Sequence, residues 1–397
     1  MEELSRQNPA MAALPIDIIF DILARLPVKC LLRSKTVSKS WLTIITSSHF
    51  INFHLRRNKF LSSSNQLLIF SSNHDHSLYS VCFESPVNAM ELSFFDGGLS
   101  FSGIAGSCNG LLLCICNAKT SRSDVCLVNP STLQYRRIPK LQVPRNFLKV
   151  IYGFGYDYIA DDYKVVRIVN FVYDCYDGSV HNAREVMVYS LRANSWKFLE
   201  EKVCNYATIT STRNGPLINN HLLDWMFWCT SMNEHQISSF DVCSKQWGEV
   251  PMPDYVKSGP IRHEKLDTVV DLRDLDGCLC LVTKNFGGNL GDVDVWVMKK
   301  YGVKNSWMKL LSMSDMDVAR SLKIAPIAYS ENGKEILLRR DEESCVFWYN
   351  LREKRGRSVE IRGLPDYRGM ISTCISSLVS PYGYGRNDDE QFVHQQR

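Results

Sequence analysis

The sequence predicts a mainly β chain: a small N-terminal unit of three short helices, then a large domain of four-stranded blades stacked into a propeller-like ring, for which six blades are expected although the repeat does not fix their number. Three observations predict it. Helical periodicity of apolar residues is confined to residues 14–55. From Asn65 onward, short apolar runs alternate with Gly, Asn, Asp and Ser, as strands alternate with turns. Within those runs an aromatic returns seven residues after a strand position, from Val128 to Tyr135, Tyr189 to Trp196 and Phe240 to Trp247.

In the helical part, Ile18, Ile19, Ile22, Leu23 and Leu26 form a wide apolar stripe on one helix, opened by Pro15 in its first turn and stopped by Pro27. A second helix from Val28 turns Leu31 and Leu32 inward and leaves Lys29, Arg33, Lys35 and Lys39 with their charged tips in water. Val37, Trp41, Ile44 and Ile45 carry the pattern into a third helix, ended by the Ser47-Ser48 pair; Val37, Trp41 and Ile44 are expected to serve the internal core. Three short helices cannot bury both of their faces alone. The surplus apolar surface, Leu14, Ile18, Ile22 and Leu31 among it, implies a partner.

Leu14-Pro15, the Ile18/Ile22 ladder, Leu26-Pro27, Leu31-Leu32-Arg33 and Val37-x-Lys39-x-Trp41, closed by Ser47-x-x-Phe50-x-x-x-His54-Leu55, resemble an F-box. Ser38 departs from the many members that have cysteine there. The resemblance implies that residues 13–56 dock to the Skp-type linker protein of a Skp/cullin/F-box ubiquitin ligase, and through it to cullin. Leu14, Pro15, Ile18, Ile22, Leu26, Pro27, Leu31 and Leu32 would form the buried contact.

Beyond the helices, Gln66–Phe70, Leu78–Phe83, Leu111–Cys116, Asp124–Val128, Lys164–Val169 and Glu185–Leu191 read as strands, rich in Val, Ile, Leu and aromatics. The anchors Tyr135, Trp196, Trp247 and Trp307 recur at roughly fifty- to sixty-residue intervals, near the period of kelch-type blades. Trp296 to Trp307 is a stretched copy, and Tyr349 to Gly356 keeps the spacing without the aromatic. Trp196, Trp247 and Trp307 are expected to be largely buried, and a strand near Ile371–Val379 to close the ring. Four pieces in order, Gly106-Ser107-Cys108-Asn109-Gly110-Leu111, Val128-Asn129-Pro130-Ser131-Thr132, Gly153-Phe154-Gly155-Tyr156-Asp157 and Asp162-Tyr163-Lys164-Val165-Val166, resemble the F-box-associated, kelch-like interaction domain of plant F-box proteins over roughly residues 100–380. The domain so implied is 60–380, with flexible tails at 1–12 and 381–397; the doubled glycine of true kelch repeats occurs only at Gly97-Gly98 and Gly287-Gly288.

Composition narrows the function classes. Residues 1–60 hold nine Lys/Arg against four Asp/Glu, while the whole chain carries +4, so the β part is nearly neutral and lacks the basic face that nucleic acid requires. The longest apolar runs are strand-sized, too short for a membrane helix. Residues 1–13 offer Glu2 and Glu3 where a signal peptide has positive charge. Fourteen scattered cysteines, with C-x-C at Cys114/Cys116 and Cys278/Cys280, read as buried reduced thiols rather than a disulfide framework or zinc ribbon. The expected setting is the cytoplasm, the nucleus or both.

No motif demands chemistry. Gly153-x-Gly155 lacks the third glycine of a dinucleotide loop, and 287–291 lacks the Gly-Lys-Ser/Thr of a phosphate loop. His74-Asp75-His76 supplies two metal-ligand types without a third, so no metal or cofactor is assigned. Arg352, Lys354, Arg355 and Arg357 suit an exposed turn better than a nuclear-import signal. The expected role is therefore a non-catalytic receptor that brings an unnamed target to the ligase; a non-degradative sequestering factor is the alternative, and an enzyme on a propeller is the third class. Target recognition is expected in four long connections, 174–184, 205–220, 253–265 and 284–292, with Tyr176, Tyr206, Tyr255, Arg262 and Phe286 as anchors.

Overall fold

A computed structural model describes residues 14–60, 66–94, 99–116, 124–143, 146–174, 180–203, 207–209, 214–229, 234–253, 270–285, 292–313, 324–340, 345–365 and 369–383. Among the described residues, α1 (Ile16–Ala24), α2 (Val28–Ser34), α3 (Lys39–Thr46) and α4 (Ser48–Phe60) make four helices where the periodicity predicts three. Ser47 explains the difference. Its N–H bonds the Ile44 carbonyl to end α3, and its Oγ accepts the Phe50 N–H at 3.2 Å to start α4. At α1, the Pro15 carbonyl accepts the N–H groups of Ile18 and Ile19, and Asp17 complements the first turn.

Six sheets follow, each running from an inner strand at the axis of the ring to an outer strand at its rim. Blade 1 is Phe101–Cys108, Leu111–Cys116, Asp124–Asn129 and Gln134–Arg137; blade 2 is Phe147–Asp157, Asp162–Asp174, Val180–Ser190 and Ser195–Val203. In blade 3, Ala207–Ile209 and Leu217–Ile218 share the inner position against Leu222–Cys229, then Glu234–Asp241 and Gln246–Val250. Blade 4 is Val270–Leu275, Cys278–Asn285, Asp292–Met298 and Trp307–Met313; blade 5 is Ile324–Tyr329, Glu335–Arg340, Cys345–Asn350 and Arg355–Val359. Blade 6 takes its inner strand, Ile371–Ile375, from the far end of the chain and its others, Gln66–Ser71, Leu78–Cys82 and Ala89–Glu91, from just after α4. Leu68 pairs with Thr373 in this closure. The six blades and the closing strand match the expected count and closure.

The seven-residue repeat is the register of each blade's outer hairpin. Val128 pairs with Tyr135, Tyr189 with Trp196, Phe240 with Trp247 and Tyr349 with Gly356. Two residues before each second member the backbone is left-handed, at Leu133 (φ 57°), Asn194 (51°), Lys245 (60°) and Lys354 (53°). A short polar residue tethers each turn: Asn129 Oδ1, Ser190 Oγ, Asp241 Oδ1 and Asn350 Oδ1 accept backbone N–H groups two or three residues on. In the stretched copy it is Met298, not Trp296, that pairs with Trp307.

The anchors lie further out than expected. Trp196, Trp247 and Trp307 are only half-buried, because the aromatic falls on the outermost strand and covers the inner residue from the rim. Two of them join neighbouring blades: Trp196 Nε1 donates to the Pro139 carbonyl at 2.7 Å and Trp307 Nε1 to the Pro251 carbonyl at 2.8 Å. The fully buried tryptophan among the described residues is Trp225, on the second strand of blade 3. Gly153 packs there: a Cβ on it would come within 2.6 Å of Leu223 and 2.8 Å of Trp225.

The helices are seated on the ring. Leu23, Leu31, Ile45, Phe50 and Leu55 share one buried cluster with Leu111 and Leu113 of blade 1 and with Leu378 and Val379 after the closing strand. Asn129 also binds this closing segment, its Nδ2 donating to the carbonyls of Ser377 (3.1 Å) and Val379 (2.8 Å).

Candidate functional site

Strands in an antiparallel blade alternate in direction, so the ring has two unlike faces. Turns from first to second and from third to outer strand gather on one face. Connections from second to third strand, and from blade to blade, gather on the other. The helical unit occupies the first face: Asn58 Nδ2 donates to the Ser376 carbonyl (3.1 Å) just past the closing strand, and Lys59 reaches the central cavity beside Cys108, where burial lowers its pKa.

On that unit α1 is apolar on two sides. Leu23 and Ala24 face the core, and Phe20 meets the edges of Phe50 and Phe53 with ring centroids 5.1 and 5.4 Å away. On the other side Leu14, Ile18 and Ile22 stand 58%, 49% and 45% exposed, with Ile16 beside them. A second apolar side on a helix calls for a second covering surface. Among the described residues nothing covers this side, so a second molecule is the natural cover.

The expected contact residues divide by position. Leu14, Pro15, Ile18, Ile22 and Pro27 are exposed, and Leu26 and Leu32 are half-buried. Leu31 is wholly buried and cannot present surface; it fixes α2 against the core. Val37, expected inside, is 62% exposed, because it lies in the turn between α2 and α3 rather than on either helix. It joins Leu42 and Phe53 as exposed apolar residues that the periodicity does not assign to a surface. The Leu26–Pro27 bend is held from beneath: buried His54 donates Nε2–H to the Leu26 carbonyl (2.9 Å) and takes the Asn58 Nδ2–H on Nδ1 (3.3 Å). Burial pushes the His54 pKa down, which keeps the ring neutral for both roles.

The five expected target anchors, Tyr176, Tyr206, Tyr255, Arg262 and Phe286, lie outside the described residues. The strand ends that flank their segments, Asp174 and Val180, Val203, Val250, and Asn285 and Asp292, all open on the face away from the helices.

The motifs singled out for chemistry serve structure where they are described. No group of three His, Cys, Asp or Glu side chains stands in metal-binding proximity there. In the His74-Asp75-His76 loop, Asp75 accepts the Tyr79 hydroxyl (2.5 Å) and the Ser77 N–H (3.1 Å), which makes it a turn residue. The cluster Arg352, Lys354, Arg355 and Arg357 lies in and after the exposed outer turn of blade 5, where Arg357 pairs with Glu335 at 3.0 Å. Asp162 serves structure as well: it accepts the Arg192 N–H (2.8 Å) and the Lys164 ammonium (2.6 Å), tying one blade 2 hairpin to the other. Sequence reasoning misses a central cavity of about 550 Å³, lined by inner-strand residues such as Arg273 and Asp274 and by Asn109 and Asn214 beside the inner strands, because it forms only when the ring closes.

Comparison with known proteins finds two matches along the chain: the F-box domain over residues 11–53 and the F-box associated beta propeller domain over residues 56–381. F-box protein CPR1 of Arabidopsis thaliana is 32% identical over 391 residues, covering 93% of this chain and 89% of that one. F-box/kelch-repeat protein At3g23880 of the same plant is 31% identical, covering 95% and 99%.

Proposed function

The chain belongs to the F-box proteins that carry an F-box-associated β-propeller, and on that premise we propose that it is the substrate receptor of a Skp/cullin/F-box ubiquitin ligase. The observation that carries this reading is the uncovered apolar side of α1. Leu14, Ile18 and Ile22 seat a Skp-type linker protein, and the linker brings cullin. The opposite face of the ring, away from the linker, holds a target protein through its connections. Ubiquitin transfer is the work of other subunits; this chain raises the target's effective concentration beside the charged enzyme and fixes its orientation. It works in the cytoplasm, the nucleus or both.

Capture by a Skp-type linker tests the reading. Ile22→Asp puts a charge where an apolar contact is desolvated, a change worth about 2 kcal/mol or more at a hot spot and so more than tenfold in affinity. Because Ile22 is exposed in the free chain, the melting temperature is expected to stay where it was. Full capture of Ile22→Asp by the linker would refute the docking face. If the linker is captured and no bound protein gains ubiquitin when the proteasome is blocked, the sequestering role replaces the degradative one.

A further inference from the structure

Blade 1 carries sulfur on adjacent strands. Cys114 and Cys116 lie at the end of Leu111–Cys116, and Cys126 lies on its neighbour Asp124–Asn129. Cys114 pairs with Cys126 and Cys116 with Asp124, so the three side chains leave the sheet on the same side. The sulfurs of Cys116 and Cys126 meet at 3.1 Å, a thiol–thiol hydrogen bond inside a buried cluster. Carbon atoms, smaller than sulfur, rest about 3.5–4.0 Å apart. A disulfide bond is about 2.05 Å long and joins Cα atoms within about 7 Å, so this diagonal pair closes by roughly 1 Å at sulfur together with a small backbone movement at the strand end.

From this geometry we infer that Cys116 and Cys126 are a modification site, a dithiol that a hydroperoxide converts reversibly into an intrachain disulfide across blade 1. The Cys116 thiolate attacks one oxygen of the peroxide; a sulfur–oxygen bond forms, the oxygen–oxygen bond breaks, and the leaving oxygen takes a proton and departs as water or alcohol. The Cys126 thiolate then attacks the sulfenic sulfur; the disulfide forms, the sulfur–oxygen bond breaks, and the second oxygen departs as water. Two thiols lose two protons and two electrons, and the peroxide accepts both electrons.

The surroundings set the order of attack. The hydrogen bond from Cys126, helped by the nearby Arg137 charge, draws Cys116 below the usual thiol pKa against the effect of burial. The same hydrogen bond, together with burial, pushes Cys126 up. Cys116 is the last residue of its strand, where local opening is easiest and an oxidant as small as hydrogen peroxide can enter. The other buried thiols, Cys108, Cys114, Cys280 and Cys374, are all held above the usual value by burial.

The test oxidises the full-length chain, reduced and then freed of reductant, with hydrogen peroxide and maps a non-reducing digest by mass spectrometry. The expected result is a Cys116–Cys126 cross-link, loss of two of the fourteen alkylatable thiols, and their return with dithiothreitol. Cys116→Ser and Cys126→Ser are each expected to abolish the cross-link, and Cys114→Ser to leave it intact. Should a variant fail to fold, fragmentation of the wild-type linked peptides still assigns which sulfurs are joined. A link through Cys114 instead of Cys116, or only intermolecular links through the exposed Cys30 and Cys82, overturns the assignment.

Discussion

Replacing Asp224 by asparagine is expected to stabilise the ring at neutral pH and to remove part of its pH dependence. Asp224 is wholly buried on the second strand of blade 3, directly across from Ser239, and accepts the hydroxyl of Tyr301 from blade 4 at 2.6 Å. Its Oδ2 has no hydrogen-bond partner among the described residues. Burial raises its pKa from 3.8 to about 6, and the hydrogen bonds from Tyr301 and Ser239 only partly oppose that rise. The folded chain therefore holds this proton more tightly than the unfolded chain. The contribution of this group to stability is greatest below about pH 4, falls as pH rises toward 6, and stays reduced above it. At about 1.36 kcal/mol per pH unit, the change from 3.8 to about 6 amounts to about 3 kcal/mol of destabilisation at pH 7. Asparagine keeps an acceptor for Tyr301 and carries no charge to desolvate, so a gain of about 1–3 kcal/mol is expected at pH 7.5 and little gain at pH 4. Urea unfolding of both proteins at the two pH values reads the difference directly and cancels other titrating groups. Equal destabilisation by Asp224→Asn at both values would refute the reasoning, since the carboxylate would then be contributing as a charge.

Substitutions at three further positions probe the rest of the molecule. Leu31→Asp buries a charge in the helical core and is expected to cost about 3–5 kcal/mol, losing linker capture together with helix protection in hydrogen exchange, unlike Ile22→Asp. Trp196→Ala removes a half-buried ring and its bond to the Pro139 carbonyl; thermal unfolding is expected to show a loss of about 2–3 kcal/mol, below the cost of a fully buried tryptophan. Asn129→Ala leaves the buried carbonyls of Ser377 and Val379 without their donor and is expected to cost about 3 kcal/mol in urea unfolding, with Asn129→Asp costing more because its charge would face those same oxygens.

The parts of this fold that local physics determines are legible in the sequence. Leu-Pro pairs fix helix boundaries through the backbone of proline, so α1 and α2 begin where Pro15 and Pro27 put them. The recurring aromatic is visible because a hairpin turn of fixed length converts register into a constant offset, as in Tyr189 and Trp196. The depth of the aromatic is not visible, since offset specifies a partner and says nothing of which strand lies outermost. α4 escapes the pattern because serine both ends and begins helices, and Ser47 does both. Leu31, read both as inward and as contact surface, is settled by the packing as inward, because helical periodicity marks a stripe without saying which side of a bundle it faces, and Val37 lies outside because the chain leaves the helix before reaching it. Asp224 with Tyr301, and Cys116 with Cys126, give no signal, because proximity across blades or on adjacent strands leaves no mark in local composition.

Closure of blade 6 by Ile371–Ile375 fixes when the ring can exist during synthesis. Gln66–Ser71 leaves the ribosome early, yet its inner neighbour is translated only after the other five blades. Throughout that interval the strand presents a free edge of unpaired backbone groups, Leu68, Ile69 and Phe70 among them, in the form that templates association between chains. The edge therefore stays open in a nascent chain until its last blade is complete, and a premature stop codon before position 371 would leave it open for the life of the product.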